Sequence, residues 1–408
     1  MAPVDYLPRA IESVLKARLG AFPVVVVTGA RQTGKSTLVR KIAPDRTYLT
    51  LDDLDVLDQA HSAPEQLVAR GSHLTLDEVQ RAPGLLLAIK RAVDEDRVPG
   101  RFLLTGSANL ELMASVSETL AGRAVYVTLW PMTRGELGGR GSVGRWDVFL
   151  DHDQEDWLRV LGASPEEPAG SWQELAMRGG YPDPATTLVS DDARAAWFEG
   201  YLRTYLERDL QRLASIDNLV GFQRLIRAAA LRVGNLVNQA DIARDVGVPP
   251  TTAQRYLHLL EVSYQLLRVE AYSVNRTKRL VKGPKLYWSD TGLALHLSAE
   301  ESPRGAHLEN LVINDLIAWR ETRTHRPNVL FWRTSKGAEV DVVVETPRAL
   351  LPIEIKTAPR VRTEDARHLA TFLDEYPDRA RAGVIVYSGE ETYWLNDRVM
   401  AVPWSKVV

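Results

Sequence analysis

Short β-branched apolar runs alternate with stretches of helical spacing through the first third of the chain. Residues 23–28 form one such run, of the kind that fills a buried parallel strand. Residues 46–51, 73–76, 102–105 and 124–129 predict further strands. Residues 85–94 and the flanks of Leu38 have helical spacing. This alternation predicts a doubly wound α/β domain that ends just before Trp130-Pro131.

The pattern then changes. Residues 134–144 are rich in glycine, 147–156 are strongly acidic, and 163–170 contain proline and glycine, which predicts a solvated surface insertion in a helical region. A long helix is predicted over 191–214, with Asp191 and Asp192 suited to the positive end of its dipole. Residues 219–267 read as short helices with a turn at 247–250, and residues 275–285 are polar and basic between strand-like flanks. From residue 304 a helix leads into strands at 329–332, 340–345 and 351–356, a helix near 364–372 and a strand at 383–387. That is a second, smaller α/β unit.

Composition narrows the class. Of 408 residues, 45% are hydrophobic and 25% charged, which excludes disorder along the whole length. No uncharged apolar run approaches the ~20 residues of a spanning helix, so no membrane partner is expected. Residues 1–7 are not basic and the apolar run 22–27 is short, so no signal peptide is expected. The chain has no cysteine, which excludes disulfides, a thiolate nucleophile and Cys-type zinc sites, and a cytoplasmic location is the expectation. A net charge of −3 leaves room for a local basic stripe that binds nucleic acid.

The strongest chemical signal is Gly29-Ala30-Arg31-Gln32-Thr33-Gly34-Lys35-Ser36, followed by Thr37. It matches G-x-x-x-x-G-K-[ST] in full, between a β run and an apolar-periodic helix. The glycines let consecutive N–H groups face phosphate oxygens at a helix N-terminus. Lys35 is expected on the β- and γ-phosphates of ATP and the Ser36 hydroxyl on Mg²⁺. Asp77-Glu78 ends the strand 73–76: Asp77 is expected to hold Mg²⁺ through water, and Glu78 to polarise the attacking water. After the strand 101–105, Ser107 and Asn109 are candidate γ-phosphate contacts, with Thr105 a weaker one.

The segments GARQTGKST, LDEVQRAP, LLTGSAN and LAGRAVYVTLWPMT resemble the prokaryotic AAA-type ATPases that carry a C-terminal domain of unknown function. RGGYPDP and WFEGYLRTYLERDL are similar to that family as well. The resemblance implies a ring or partial ring, with six subunits the expected number, and ATP sites between subunits. On that basis Arg123 is the candidate arginine finger and Arg208 a candidate second sensor.

Residues 236–246 and 249–260 read as helix–turn–helix, with Ala240, Ile242, Ala243 and Val246 on the apolar face of the first helix and Gly247 at the turn. Thr251, Thr252, Gln254 and Arg255 then start the second helix, where a recognition helix presents side chains to a groove. Arg276, Lys278, Arg279, Lys282 and Lys285 follow with no acidic residue among them, which reads as a basic wing suited to the DNA phosphate backbone. The alternative is a module that mediates protein contacts only.

In a strand, alternate residues share a face, so Glu354 and Lys356 point to one site. An antiparallel neighbour would set Asp341 beside Glu354, and two carboxylates suit Mg²⁺. Lys356 would then orient or activate a water. This constellation resembles the PD-(D/E)XK nuclease superfamily, whose core runs helix–strand–strand–strand–helix–strand. Glu309 fits the extra acidic position of many members, archaeal Holliday-junction resolvases included. The expected organisation is therefore α/β and multidomain: a P-loop AAA+-type ATPase core (1–130), a helical lid with an acidic insertion (131–215), a winged-helix DNA-binding module (216–300) and a nuclease-like domain (301–408). The expected function is an ATP-hydrolysing, oligomeric DNA motor acting on branched DNA such as Holliday junctions. The alternatives are an ATP-dependent nuclease and an ATP-gated regulator.

Overall fold

The computed structural model describes residues 6–106, 119–162, 170–204, 216, 218–275, 277, 279 and 283–408. Its first sheet holds β1 (Val24–Thr28), β2 (Thr47–Thr50), β3 (Leu74–Asp77), β4 (Phe102–Thr105) and β5 (Ala124–Thr128), all parallel, in the order β2-β3-β4-β1-β5. β1 is buried along its whole length, as its unbroken Val run requires. Its side chains alternate between two cores. Val24 and Val26 pack with Leu76, Ile89 and Leu104 on one face, and Val25 and Val27 with Leu15, Leu38 and Leu103 on the other. Because β4 lies between β1 and β3, the end of β4 separates the phosphate loop from Asp77.

The second sheet has eight strands: β6 (Leu266–Ala271), β7 (Lys285–Trp288), β8 (Asn328–Arg333), β9 (Glu339–Glu345), β10 (Leu350–Lys356), β11 (Gly383–Tyr387), β12 (Tyr393–Asn396) and β13 (Val399–Pro403), ordered β12-β13-β11-β10-β9-β8-β6-β7. The helix Gly305–Thr322 precedes β8, and the helix Arg367–Glu375 connects β10 to the parallel β11. β6 pairs antiparallel with β7 and parallel with β8. One sheet therefore crosses the boundary expected at residue 300.

The acidic stretch is not a solvated loop. It forms the helices Asp147–Asp151 and Gln154–Gly162 and docks on the C-terminal unit. Trp146 is fully buried and donates Nε1–H to Asp315 at 2.6 Å, and Trp157 stacks on Trp394 with ring centroids 5.7 Å apart. Asp147 and Asp151 both accept from Arg323, at 2.6 and 3.0 Å. The tryptophans that flank the acids supply the buried area, and Asp147 and Asp151 share the Arg323 guanidinium. The long helix predicted from residue 191 is observed over Asp191–Tyr201, and residues 205–215 lie outside the described residues. No helix among the described residues is long and apolar enough to cross a membrane.

Candidate active site

The phosphate loop leaves the end of β1 and opens the helix Lys35–Ile42. Two positions demand glycine. A Cβ on Gly29 would stand 2.2 Å from the Leu129 carbonyl oxygen, and Gly34 at φ 91° is in the left-handed region. The unpaired N–H groups at that helix start make an anion site. Lys35 is buried, and its Nζ donates to the carbonyls of Ala30 at 2.7 Å and Gly29 at 3.2 Å. Burial lowers its pKa to about 8, against the pull of Glu78 and Asp77.

Asp77 is buried at the end of β3. It accepts from the Ser36 hydroxyl at 3.1 Å, the Tyr48 hydroxyl at 2.5 Å and the Thr105 hydroxyl. Hydroxyl plus carboxylate is a hard-oxygen donor set, so Ser36 and Asp77 fit Mg²⁺. Glu78 follows at φ 59°, a strained conformation for a residue with a Cβ. Its N–H donates to Thr105 Oγ1 at 3.3 Å and its carboxylate accepts from Gln80. Burial raises the Glu78 pKa, opposed by the Lys35 charge.

Two cavities flank this row. One of about 420 Å³ is bounded by Ser36, Arg40, Tyr48, Asp52 and Asp77. The other, of about 230 Å³, is bounded by Tyr6, Leu7, Thr37, Met132, Pro182 and Thr186.

Side chains from outside the loop grip it. Buried Arg9 donates to the Thr33 carbonyl at 2.9 Å and the Trp130 carbonyl at 2.7 Å, and pairs with Glu136 at 3.1 Å. The Tyr201 hydroxyl reaches the Arg31 carbonyl at 3.4 Å, and the Tyr264 hydroxyl donates to Thr28 Oγ1 at 3.0 Å. Asp290 accepts from the N–H groups of Gly180 and Tyr181, at 2.6 and 3.2 Å, and so fixes the Gly-Gly-Tyr-Pro turn whose Pro182 lines the smaller cavity. Sequence reasoning missed Arg9, Tyr48, Tyr201 and Tyr264. The segments holding Tyr201 and Pro182 stood out by resemblance alone.

Of the predicted site residues, Ser107, Asn109, Arg208, Arg276, Lys278 and Lys282 lie outside the described residues. Thr105 is the β4 residue that touches the acidic pair. Arg123 is partly exposed and pairs bidentately with Asp94 of its own chain, at 2.6 and 2.9 Å.

The helix pair Gln239–Val246 and Pro250–Val262 is present, joined through Gly247 at φ 73°. Ile242, Ala243 and Val246 are buried as predicted, whereas Ala240 is exposed. Thr251, Gln254 and Arg255 are exposed and Thr252 is half-buried. Two members of the basic run do not face solvent. Arg279 is buried in a bidentate pair with Glu345, at 2.6 and 3.0 Å. Lys285 is buried against Glu339, Glu309 and Asp341. Both were read as phosphate contacts because their partners lie 24 to 66 residues further on, beyond any local pattern.

In the C-terminal unit, Lys356 donates to Glu354 at 2.7 Å, so the two share a face. The antiparallel register of β9 and β10, with Ile353 opposite Val342, sets Asp341 beside Glu354. Burial raises Glu354 to about 8 and Glu309 to about 7, and the Asp341 charge adds to both. Lys285 stands among Glu309, Glu339 and Asp341, and no group of three or more acidic or His side chains among the described residues is arranged to hold a metal.

A phosphate loop on a parallel sheet, with an acidic pair one strand removed, defines a P-loop ATPase of the AAA type. Family models agree: an AAA domain matches residues 21–138, a domain of unknown function (DUF8612) residues 169–304, and another (DUF4143) residues 304–407. "Uncharacterized protein Rv2008c" of Mycobacterium tuberculosis and "Uncharacterized protein Mb2031c" of Mycobacterium bovis are each 32% identical over 407 residues, covering 97% of this chain and 83% of theirs. The chain belongs to their family, the prokaryotic AAA-type P-loop ATPases with a C-terminal DUF4143 domain. Among solved structures, a Walker-type ATPase of Pyrococcus abyssi is 15% identical with a TM-score of 0.40, over 72% of this chain and 96% of that one. AMPPCP-bound DnaA of Aquifex aeolicus is 14% identical with a TM-score of 0.28, over 62% and 85%.

Proposed function

We propose that this ATPase is a DNA-remodelling motor that acts on branched DNA, Holliday junctions among them, as a self-associated ring or partial ring. One connection carries the reading. The helix Pro250–Val262 presents Thr251 and Arg255 at its start, and Tyr264 just past its end holds Thr28, one residue before the phosphate loop. The helix is ~20 Å long at 1.5 Å per residue, so a groove contact and the γ-phosphate act on the two ends of one rod. The branched substrate is supported by the C-terminal element order, helix–β8–β9–β10–helix–β11, which is that of the junction-resolvase superfamily; this is fold-level analogy.

In the hydrolytic step, Lys35 leaves the loop carbonyls for the β- and γ-phosphates, and Glu78 orients the attacking water, its basicity raised by burial. Ser36 directly, and Asp77 through water, would hold Mg²⁺, which neutralises charge on the transferring phosphoryl group. The smaller cavity takes the base. In the assembled form Arg123 exchanges Asp94 for a neighbour's γ-phosphate.

Fluorescence anisotropy with a four-way junction and a linear duplex tests the DNA reading. The junction is expected to bind more tightly, and Thr251→Ala/Thr252→Ala/Arg255→Ala to weaken binding roughly tenfold or more. Indistinguishable binding of both DNAs by both proteins would reject it.

A further inference from the structure

The C-terminal carboxylates belong to a closed ionic cell. Glu309 comes from the helix Gly305–Thr322, Glu339 and Asp341 from β9, and Lys285 from β7 enters between them with its side chain 4% exposed. The ammonium stands 2.7 Å from Glu339 Oε1, 3.0 Å from Glu309 Oε1 and 3.6 Å from Asp341 Oδ1. Tyr287, two residues on, donates to the same Glu309 oxygen at 2.5 Å. The second Asp341 oxygen accepts the Ile355 N–H at 2.9 Å. Glu354 turns away to Lys356, with its Oε2 buried and without a hydrogen-bond partner.

A magnesium-sized ion needs oxygens at ~2.0–2.1 Å in near-octahedral array. Here the oxygens of Glu309, Glu339 and Asp341 that face inward are directed at a three-donor ammonium. Each side needs the other, because a buried charge stripped of its partner is strongly destabilising. The residues therefore do not fit the divalent metal that a nuclease-like fold implies. A second buried pair repeats the design at the other end of the same strand, where Arg279 grips Glu345. β9 is thus held by cations at both ends: Lys285, with Arg333 at 3.6 Å, on Glu339, and Arg279, with Arg379 at 3.5 Å, on Glu345.

We propose that Lys285 is the resident cation of this cell, standing where a nuclease-like fold would hold its divalent metal. The C-terminal domain then lacks a divalent-metal site and does not cleave a phosphodiester.

Mn²⁺ titration of the nucleotide-free, full-length protein, followed by electron paramagnetic resonance, tests this. Wild type and Asp341→Asn/Glu354→Gln are expected to bind equal numbers of Mn²⁺ ions. Lys285→Met is expected to gain one ion, and Lys285→Met/Asp341→Asn to lose it again. Should Lys285→Met fail to fold, Lys285→Met/Glu339→Gln removes one unpaired charge, keeps Glu309, Asp341 and Glu354, and is expected to show the same gain. A wild-type ion that disappears in Asp341→Asn/Glu354→Gln would overturn the proposal. So would a folded Lys285→Met variant that gains none.

Discussion

Tyr264, at φ 59°, donates its hydroxyl to Thr28 Oγ1 at 3.0 Å across 236 residues of sequence. The left-handed backbone turns the chain out of the helix Pro250–Val262, and an edge-on contact with Trp130 at 5.5 Å holds the ring. Strain of this kind persists only where surrounding packing fixes it. Tyr264→Phe keeps the ring and deletes the link. The expected stability loss is about 1 kcal/mol, typical of one hydrogen bond. DNA binding and basal ATP turnover are expected to persist while stimulation of turnover by DNA falls severalfold. Full stimulation in the variant would mean that the contact is packing alone.

Lys35 should take up a proton when nucleotide binds. Its free-site pKa is lowered to about 8 by burial, and triphosphate charge raises it again. Below pH 7 the amine is already charged in both states, so uptake is near zero; above pH 8 the free amine is largely neutral and uptake rises toward one proton. Calorimetry in buffers of different ionisation enthalpy measures this directly. Lys35→Ala should abolish it along with tight binding, and uptake independent of pH would contradict the assignment.

Arg279 and Glu345 should be a stability pair rather than a DNA contact. Removing one partner of a buried ion pair costs up to about 3–5 kcal/mol, and Arg279→Ala leaves Glu345 only Asn328 at 3.0 Å and Arg379 at 3.5 Å, so it should lower the urea midpoint. The Arg279 hydrogen bonds hold Glu345 down at about 2. A depressed acid stabilises the fold above its unfolded value, near ~4.3, and the contribution disappears as pH falls through the folded value. The stability difference between wild type and Arg279→Ala should therefore shrink from pH 5 to pH 2. A variant of wild-type stability that only loses DNA affinity would restore Arg279 to the wing.

Arg123 pairs with Asp94 at an exposed edge, where a neighbour can compete for it. A guanidinium on the transferring phosphoryl group contributes ~10³–10⁵ in rate. Arg123→Ala should bind ATP, assemble and fail to hydrolyse it, and Glu78→Gln should bind ATP and turn over roughly 10²-fold more slowly. Mixed subunits should regain activity, because one interface joins an intact Glu78 site to an intact Arg123. No recovery with subunit exchange demonstrated would remove the trans role.

The ATPase core was legible because its signals are local. The Val run of β1, the spacing from Gly29 to Ser36 and the acids at the end of β3 each declare themselves within a few residues. What holds the site was not legible. Arg9 reaches Thr33 and Trp130, and Tyr264 reaches Thr28, through contacts that no short window contains. Charge misled for the same reason. Arg279 and Lys285 read as a phosphate-binding wing because no acid lies beside them in sequence, yet β9 supplies their partners. The acidic stretch erred in the opposite direction: its tryptophans, not its charges, decide that it docks.

On the proposed function, DNA at the helix pair sets the rate of ATP hydrolysis at the phosphate loop. The most direct measurement is steady-state ATP turnover with no DNA, linear duplex and a four-way junction, at matched nucleotide and salt concentrations. A severalfold higher rate with the junction than with the duplex is expected, and loss of that increase in Thr251→Ala/Thr252→Ala/Arg255→Ala. One and the same rate under all three conditions would contradict it.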